Sequence, residues 1–430
     1  MSTILTLMTA LAQPIGDFSG ALQPAPGVEL RIVFHLEEGG GTMDSIDQGA
    51  LGIPLSSVKL DGEQFHIGVD SIGGSWEGVL DGDTLRGTWA QGPARFPLVL
   101  ERTTASIPLD RPQTPKPPFP YSERELSVPV DASITLAGTL TLPAGKGPHP
   151  VLVFITGSGP QDRDESLMGH QPFRVLADHL ARNGVGSYRY DDRGVAESTG
   201  DFSSATSFDF ATDASAALQA VRGLDGVGAV GYLGHSEGGI VAPLAQRSAP
   251  ADLLVLLAPP GVDGKQLILE QSARIAAVGH ASPMQIGAAR ELNEAVYKAL
   301  LEGADHSSLV KLLRPALGAD AAEAQVSQLE TPWFRTFLTY DPAPALSKLH
   351  VPVLALIGER DLQVPADQNL PVIRQALAGN SQAVVEQLPG LNHLLQPTET
   401  GAPTEYASIP TTIDPTALNT ISDWVKQVTR

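Results

Sequence analysis

At 430 residues the chain exceeds one typical domain, and its length suggests about two or three folding units. A net charge of −20, with no basic run anywhere, excludes partners that are held by phosphate neutralisation, nucleic acids and anionic membranes among them. The absence of cysteine excludes disulfides, thiolate metal sites and a cysteine nucleophile, and no apolar stretch is long enough to make an integral membrane segment.

Residues 1–12 are apolar and end in Ala10-Leu-Ala12, a small-x-small pattern, but lack a basic start. They read as a remnant export signal or as an apolar N-terminal segment, so exported, periplasmic and cytoplasmic locations all stay open. From 13 to 110 the hydrophobic period is two. Runs such as Leu30–Leu36, Gln64–Val69, Ser75–Leu80, Thr84–Trp89 and Arg95–Leu100 alternate with Asp61-Gly62, Gly73-Gly74 and Asp81-Gly82, which are hairpin signals. About eight short antiparallel strands are expected, enough for a small barrel or sandwich. Its large aromatics, Phe34, Phe65, Trp76 and Trp89, are expected in the core.

Residues 111–120 carry five prolines and form a stiff linker. Beyond it, an antiparallel pair at 125–130 and 134–142 precedes apolar strands that alternate with helical stretches at 172–183, 207–222, 237–248, 366–378 and 415–428. That alternation predicts a doubly wound α/β core at 121–261 and 347–430, with a mostly parallel sheet of about eight strands. Residues 262–346 show helical periodicity only and interrupt the core after its sixth strand, so they read as a helical cap over the ligand edge of the sheet. Trp333, Phe334, Phe337 and Tyr340 of the cap are candidate pocket residues; the alternative is that the aromatics fasten the cap down.

The run Val227–Leu233 leads into Gly234-His-Ser-Glu-Gly238 and then a helical stretch, the strand-turn-helix setting of a G-x-S-x-G nucleophile elbow. Ser236 is therefore the candidate nucleophile. A serine hydroxyl needs a histidine to accept its proton and a carboxylate to orient that histidine, in the chain order serine, acid, histidine for this architecture. Asp361 follows the seventh core strand, and His393 follows the eighth and is the only histidine downstream of it. Glu359 fits the turn less well than Asp361, and Asp367 sits where a helix cap is expected. The backbone N–H groups of Glu237 and of Ser158, or alternatively Gly157, are candidate oxyanion donors. His235 is expected to pack inside the elbow. Asp191, Asp192 and Arg193 read as a structural ion-pair loop, because no metal-ligand spacing accompanies them.

With these residues placed, the chain resembles the α/β-hydrolase superfamily and, within it, the EstD-type bacterial carboxylesterases. The resemblance rests on Gly157–Asp164, on Arg189–Gly194 with Ser198-Thr-Gly200, on Gly234–Gly239, on the Asp361 turn and on Gly390-Leu-Asn-His393, and covers about residues 120–430. The N-terminal β-module resembles one that precedes such hydrolases in exported bacterial proteins. The resemblance implies hydrolysis of short- to medium-chain acyl esters, a small-molecule substrate, no cofactor and no metal. The same triad also serves amidases, peptidases, lactonases and acyltransferases. Outside enzymes, the alternative is a binding protein with the β-module as its working part. That module is expected to dock on the cap or on a second subunit, which leaves a homo-oligomer open.

Overall fold

The computed structural model describes residues 15–25, 28–37, 39–46, 50–61, 64–92, 94–103 and 111–430. Residues 1–12, read above as a signal remnant or apolar segment, and Gly62 of one hairpin turn lie outside the described residues. The chain divides into two units, one of Met1–Asp110 with Leu167–Gly169 and Tyr406–Pro410, the other of Arg111–Ser166, His170–Glu405 and Thr411–Arg430.

The first unit is a single antiparallel sheet. Its strands are β1 (Gly16–Ala25), β2 (Val28–Glu37), β3 (Gly40–Ser45), β4 (Ala50–Pro54), β5 (Ser57–Asp61), β6 (Gln64–Val69), β7 (Gly74–Asp81), β8 (Thr84–Gln91) and β9 (Ala94–Thr103). They pair in the order β4-β3-β2-β1-β9-β8-β7-β6-β5, so the first and last strands meet in the middle and the outer strands β4 and β5 stay unpaired with each other. The expected barrel-like module is thus a half-barrel sheet of nine strands. The period-two pattern puts Phe18, Phe34, Phe65, Trp76, Trp89, Leu98 and Leu100 on one buried face. Trp76 is fully buried and its indole N–H donates to the Leu98 carbonyl at 3.2 Å, which removes the cost of enclosing that donor.

The second unit is a doubly wound α/β sandwich. Strands β10 (Ser122–Pro129) and β11 (Thr135–Leu142) open it, followed by β12 (His149–Ile155), β13 (Gly186–Tyr190), β14 (Val227–His235), β15 (Leu254–Leu257), β16 (Val353–Gly358) and β17 (Ala383–Leu388). The order is β10-β11-β13-β12-β14-β15-β16-β17. Pairing is antiparallel at β10–β11 and β11–β13 and parallel from β13 through β17. A parallel strand covered by helices must be apolar on both faces, which explains the unbroken runs in the sequence. Val153, Val230, Leu254 and Ala355 enter one core, while Leu152, Phe154, Leu233, Val255 and Leu356 enter the other.

Helices α1 (Pro172–Arg182), α2 (Ser207–Val221) and α3 (Gly238–Ala245) cross between the early strands. Six helices, α4 (Gly264–Val278), α5 (Pro283–Leu301), α6 (His306–Leu317), α7 (Ala319–Leu329), α8 (Pro332–Thr339) and α9 (Ala343–Leu346), stand between β15 and β16, and α10 (Ala366–Ala376) and α11 (Pro415–Val428) complete the unit. Local chemistry sets several starts: Asp263, Asp305 and Thr331 cap α4, α6 and α8, and Ser282 and Gln285 form a capping box at α5 with Pro283 in the first turn. Helices α5 to α8 build a core of their own from Val296, Tyr297, Leu300, Leu309, Leu313, Val326, Leu329 and Leu338.

Candidate active site

The sheet order turns back at β12, which lies between β13 and β14, and the carboxyl ends of strands beside such a reversal open a crevice. Ser236 stands at the end of β14 with φ +53°, a left-handed conformation that costs a non-glycine residue energy and occurs where the surroundings force it. The forcing is visible. The Ser236 N–H donates to the Leu257 carbonyl on the next strand at 2.8 Å, and its own carbonyl accepts from Gly239 at 2.8 Å as α3 begins. Glycines on either side let the elbow close: a Cβ at Gly238 would lie 2.8 Å from the Thr156 oxygen, and one at Gly239 would lie 2.5 Å from Pro259 Cβ.

Asp361 follows β16 and His393 follows β17, and the pairing of those neighbouring strands brings the two side chains together. His393 Nδ1 lies 2.8 Å from Asp361 Oδ2, with both residues buried. The other Asp361 oxygen accepts from the backbone N–H groups of Gln363 and Val364, each at 2.8 Å. A carboxylate held this way only accepts, so Nδ1 carries a hydrogen and, in the neutral imidazole, Nε2 keeps its lone pair. The His393 loop is fixed by Asn392, whose side-chain oxygen accepts from the N–H groups of Leu394 and Gln396 at 3.0 and 2.9 Å. The two rejected acids have other tasks: Glu359 accepts from Gly390 N–H and Asp367 pairs with Arg274 of α4. The Ser236 hydroxyl makes no hydrogen bond to His393 among the described residues, a link that in hydrolases often tightens only around substrate.

The loop after β12 is tied to the loop after β13. Asp192 Oδ1 accepts from Thr156 Oγ1 at 2.8 Å and its Oδ2 from Gln161 N–H at 2.9 Å, so one carboxyl group holds both ends of 156–161. Asp191 receives the Arg163 side chain and N–H, Arg189 pairs with Asp164, and Arg193 meets Asp213 with two 2.7 Å bonds. The Gly157–Asp164 and Arg189–Gly194 segments are thus two halves of one clamp, and no metal-binding cluster exists among the described residues.

The candidate oxyanion donors differ. Gly157 N–H is taken by Glu165 Oε1 at 2.8 Å, which withdraws the alternative donor named from sequence. The N–H groups of Ser158 and Glu237 donate to no described group. The Glu237 side chain is buried, accepts from Ser207 Oγ at 2.6 Å and receives the Trp333 indole N–H at 2.8 and 2.9 Å. Trp333 therefore joins α8 to the elbow through a hydrogen bond that its aromatic character did not announce. The other cap aromatics serve packing: Phe337 is buried and stacks on Trp333 at 5.2 Å, Phe334 lies against Tyr297 within the cap, and Tyr340 meets Phe208 edge-on at 5.8 Å. A cavity with room for about one water molecule lies among Thr156, Tyr190, Asp192, Phe210 and Glu237. Its lining includes neither Ser236 nor His393.

Three groups here hold their protons more tightly than they would in water. Burial pushes Asp192 well above the ordinary carboxylate range, with Glu237 and Glu165 adding to the effect against the bonds from Thr156 and Gln161. Burial likewise raises Glu237 despite its hydroxyl and indole partners. For His235 burial opposes the charge, but the Glu165 carboxylate beside it outweighs burial and raises the imidazole. A raised pKa in the folded state means that the unfolded chain releases the proton first, so stability is lost as pH rises above about 4 for the carboxyls and about 6.5 for the histidine. Melting temperature is expected to fall as pH rises from about 4. Asp192→Asn, whose amide can still accept from Gln161 and can donate to Thr156, is expected to flatten that fall. An unchanged slope in differential scanning calorimetry would show that Asp192 ionises freely.

Comparison with known proteins agrees with this architecture. Residues 171–399, just over half of the chain, match the Hydrolase_4 family, described as serine aminopeptidase S33. Esterase EstD of Thermotoga maritima is 28% identical over 288 residues, 67% of this chain, and the matched part spans 64% of that relative, under two thirds of its length. Among solved structures, the Pyrococcus furiosus esterase Pf2001 is 12% identical with a TM-score of 0.46, covering 72% of this chain and 92% of its own. Est1E of Butyrivibrio proteoclasticus with ferulic acid bound is 18% identical with a TM-score of 0.41, covering 70% and 96%. With its reversed parallel sheet, strained serine elbow and family match over more than half its length, the chain belongs to the Hydrolase_4 family.

Proposed function

We propose that the protein is a serine carboxylesterase that hydrolyses short- to medium-chain acyl esters through an acyl-enzyme on Ser236. The observation that carries this reading is the buried His393–Asp361 pair at 2.8 Å, at the same carboxyl edge of the parallel sheet as a serine held at φ +53°. With Nδ1 donating to Asp361, His393 Nε2 accepts the Ser236 proton as Oγ attacks the ester carbonyl. The tetrahedral oxyanion is met by the Ser158 and Glu237 N–H groups, each such donor worth about 3 to 4 kcal/mol in comparable sites. His393 then passes its proton to the leaving alcohol, and water repeats the sequence in reverse to free the acid. None of these steps calls on a cofactor. A cap joined to the elbow through Trp333 supports a confined acyl site.

The family's serine aminopeptidase description supports a second reading, cleavage of an N-terminal peptide bond by the same three groups. A series of p-nitrophenyl esters from acetate to palmitate, set beside aminoacyl p-nitroanilides, separates the two. The esterase reading predicts faster turnover of esters, with an optimum at short to medium chains. Faster cleavage of the anilides would replace it with the peptidase.

A further inference from the structure

Glu165 has no task in the steps above, yet it is buried, 5% exposed, and held at φ +53° in the loop between β12 and α1. A non-glycine residue keeps that conformation only where its surroundings over-determine it. What determines it here is a set of directed bonds. Glu165 Oε1 accepts from Gly157 N–H at 2.8 Å and lies 2.8 Å from His235 Nδ1. His235, the residue before Ser236, reaches with Nε2 to the backbone oxygen of His393 at 3.1 Å, its ring 4.9 Å from the His393 ring.

The hydrogens on these atoms follow from donor and acceptor chemistry. A carbonyl oxygen only accepts, so His235 Nε2 carries a hydrogen toward His393. Glu165 Oε1 accepts the Gly157 N–H and shares a hydrogen with His235 Nδ1, so the two side chains form one buried hydrogen-bonded pair. Buried polar groups of this kind persist as a pair, because removing either leaves the other without its partner. One carboxylate oxygen thereby links the loop after β12, the elbow after β14 and, through His235, the loop after β17.

We infer that Glu165 and His235 form a positioning pair that holds the oxyanion loop, the nucleophile elbow and the His393 loop in register, with Glu165 drawing the Gly157 amide out of the site so that the Ser158 amide serves the oxyanion. This rests on the hydrolytic reading of Ser236 and adds two residues that touch no substrate. A positioning pair acts on the transition state more than on ground-state binding, so its loss falls on kcat rather than KM.

The test uses the full-length protein and its Glu165→Ala, Glu165→Gln and His235→Gln variants, with active sites counted by end-point titration with a fluorophosphonate and kcat and KM measured on p-nitrophenyl acetate. Glu165→Ala is expected to lower kcat per titrated site by about 10²-fold with KM within about threefold. Glu165→Gln, whose amide oxygen can keep the Gly157 bond, is expected to recover about tenfold of that loss. A kcat per titrated site equal to wild type in Glu165→Ala, with the loss confined to the number of titratable sites, would show a merely structural residue and overturn the inference. If Glu165→Ala does not fold, His235→Gln decides: a fall of about tenfold in kcat per site supports the pair, and no fall overturns it. If wild type leaves p-nitrophenyl acetate untouched, the ester reading fails by itself, and the rate constant of fluorophosphonate labelling takes the place of kcat with the same two outcomes. A wild type inert to both reagents overturns the inference together with the reading beneath it.

Discussion

Asp361→Asn is expected to lower kcat on p-nitrophenyl esters by about 10⁴-fold while KM changes little. The size of the effect comes from hydrogen positions rather than from lost charge alone. Asp361 Oδ1 accepts from two backbone N–H groups, those of Gln363 and Val364, and only an oxygen can take that place. The asparagine amide must therefore put its oxygen there and its NH₂ where Oδ2 now faces His393 Nδ1 at 2.8 Å. Nδ1 then accepts, Nε2 carries the hydrogen, and the ring offers Ser236 a donor where a base is required. Because the swap keeps shape and backbone bonds, the variant is expected to fold. Steady-state kinetics showing less than a tenfold fall would mean that Asp361 does not set the tautomer.

Gly234→Ala is expected to destabilise the protein by about 3 kcal/mol or more, enough to leave little soluble material. A Cβ at 234 would be driven into the Gly238 carbonyl, with the Gly239 nitrogen 2.9 Å away. Relief would need α3 to move off the strand, but Gly238 is already against the Ile155 and Thr156 carbonyls and Gly239 against Pro259. Gly287 on α5 is the contrasting control: nothing lies within 4 Å of its Cβ position, so Gly287→Ala is expected to stabilise by about 1 kcal/mol through helix propensity. Urea unfolding of both variants distinguishes crowding at the elbow from a general intolerance of glycine replacement. Equal stabilities would remove the packing argument for the elbow glycines.

The fold is legible in the sequence because its signals are local. Period-two runs with Gly-containing turns mark the antiparallel sheet, and unbroken apolar runs alternating with helices mark the parallel one. What a period of two does not encode is closure: whether β4 and β5 pair along their length depends on twist accumulated over nine strands, and here they do not pair. The positions of Ser236, Asp361 and His393 are equally local, since each sits just past the end of a strand. Glu165 is different. Its partners are Gly157 and His235, the latter 70 residues away, and no spacing or periodicity announces a pair joined only by the way two loops fold over one strand end. Trp333 shows the same limit in another form: its aromatic run suggests a pocket, while its indole N–H is committed to the carboxyl group of Glu237, 96 positions earlier.

The most direct test of Ser236 as the nucleophile pairs a label with a loss. A fluorophosphonate is reacted with wild type and with Ser236→Ala, the modified peptide is mapped by mass spectrometry, and p-nitrophenyl ester turnover is followed in both. The account predicts one equivalent of label on the peptide carrying Ser236, none on the variant, and turnover reduced by at least about 10⁴-fold in a variant that melts like wild type. Turnover that survives in folded Ser236→Ala, or a label mapped to another serine, would contradict it.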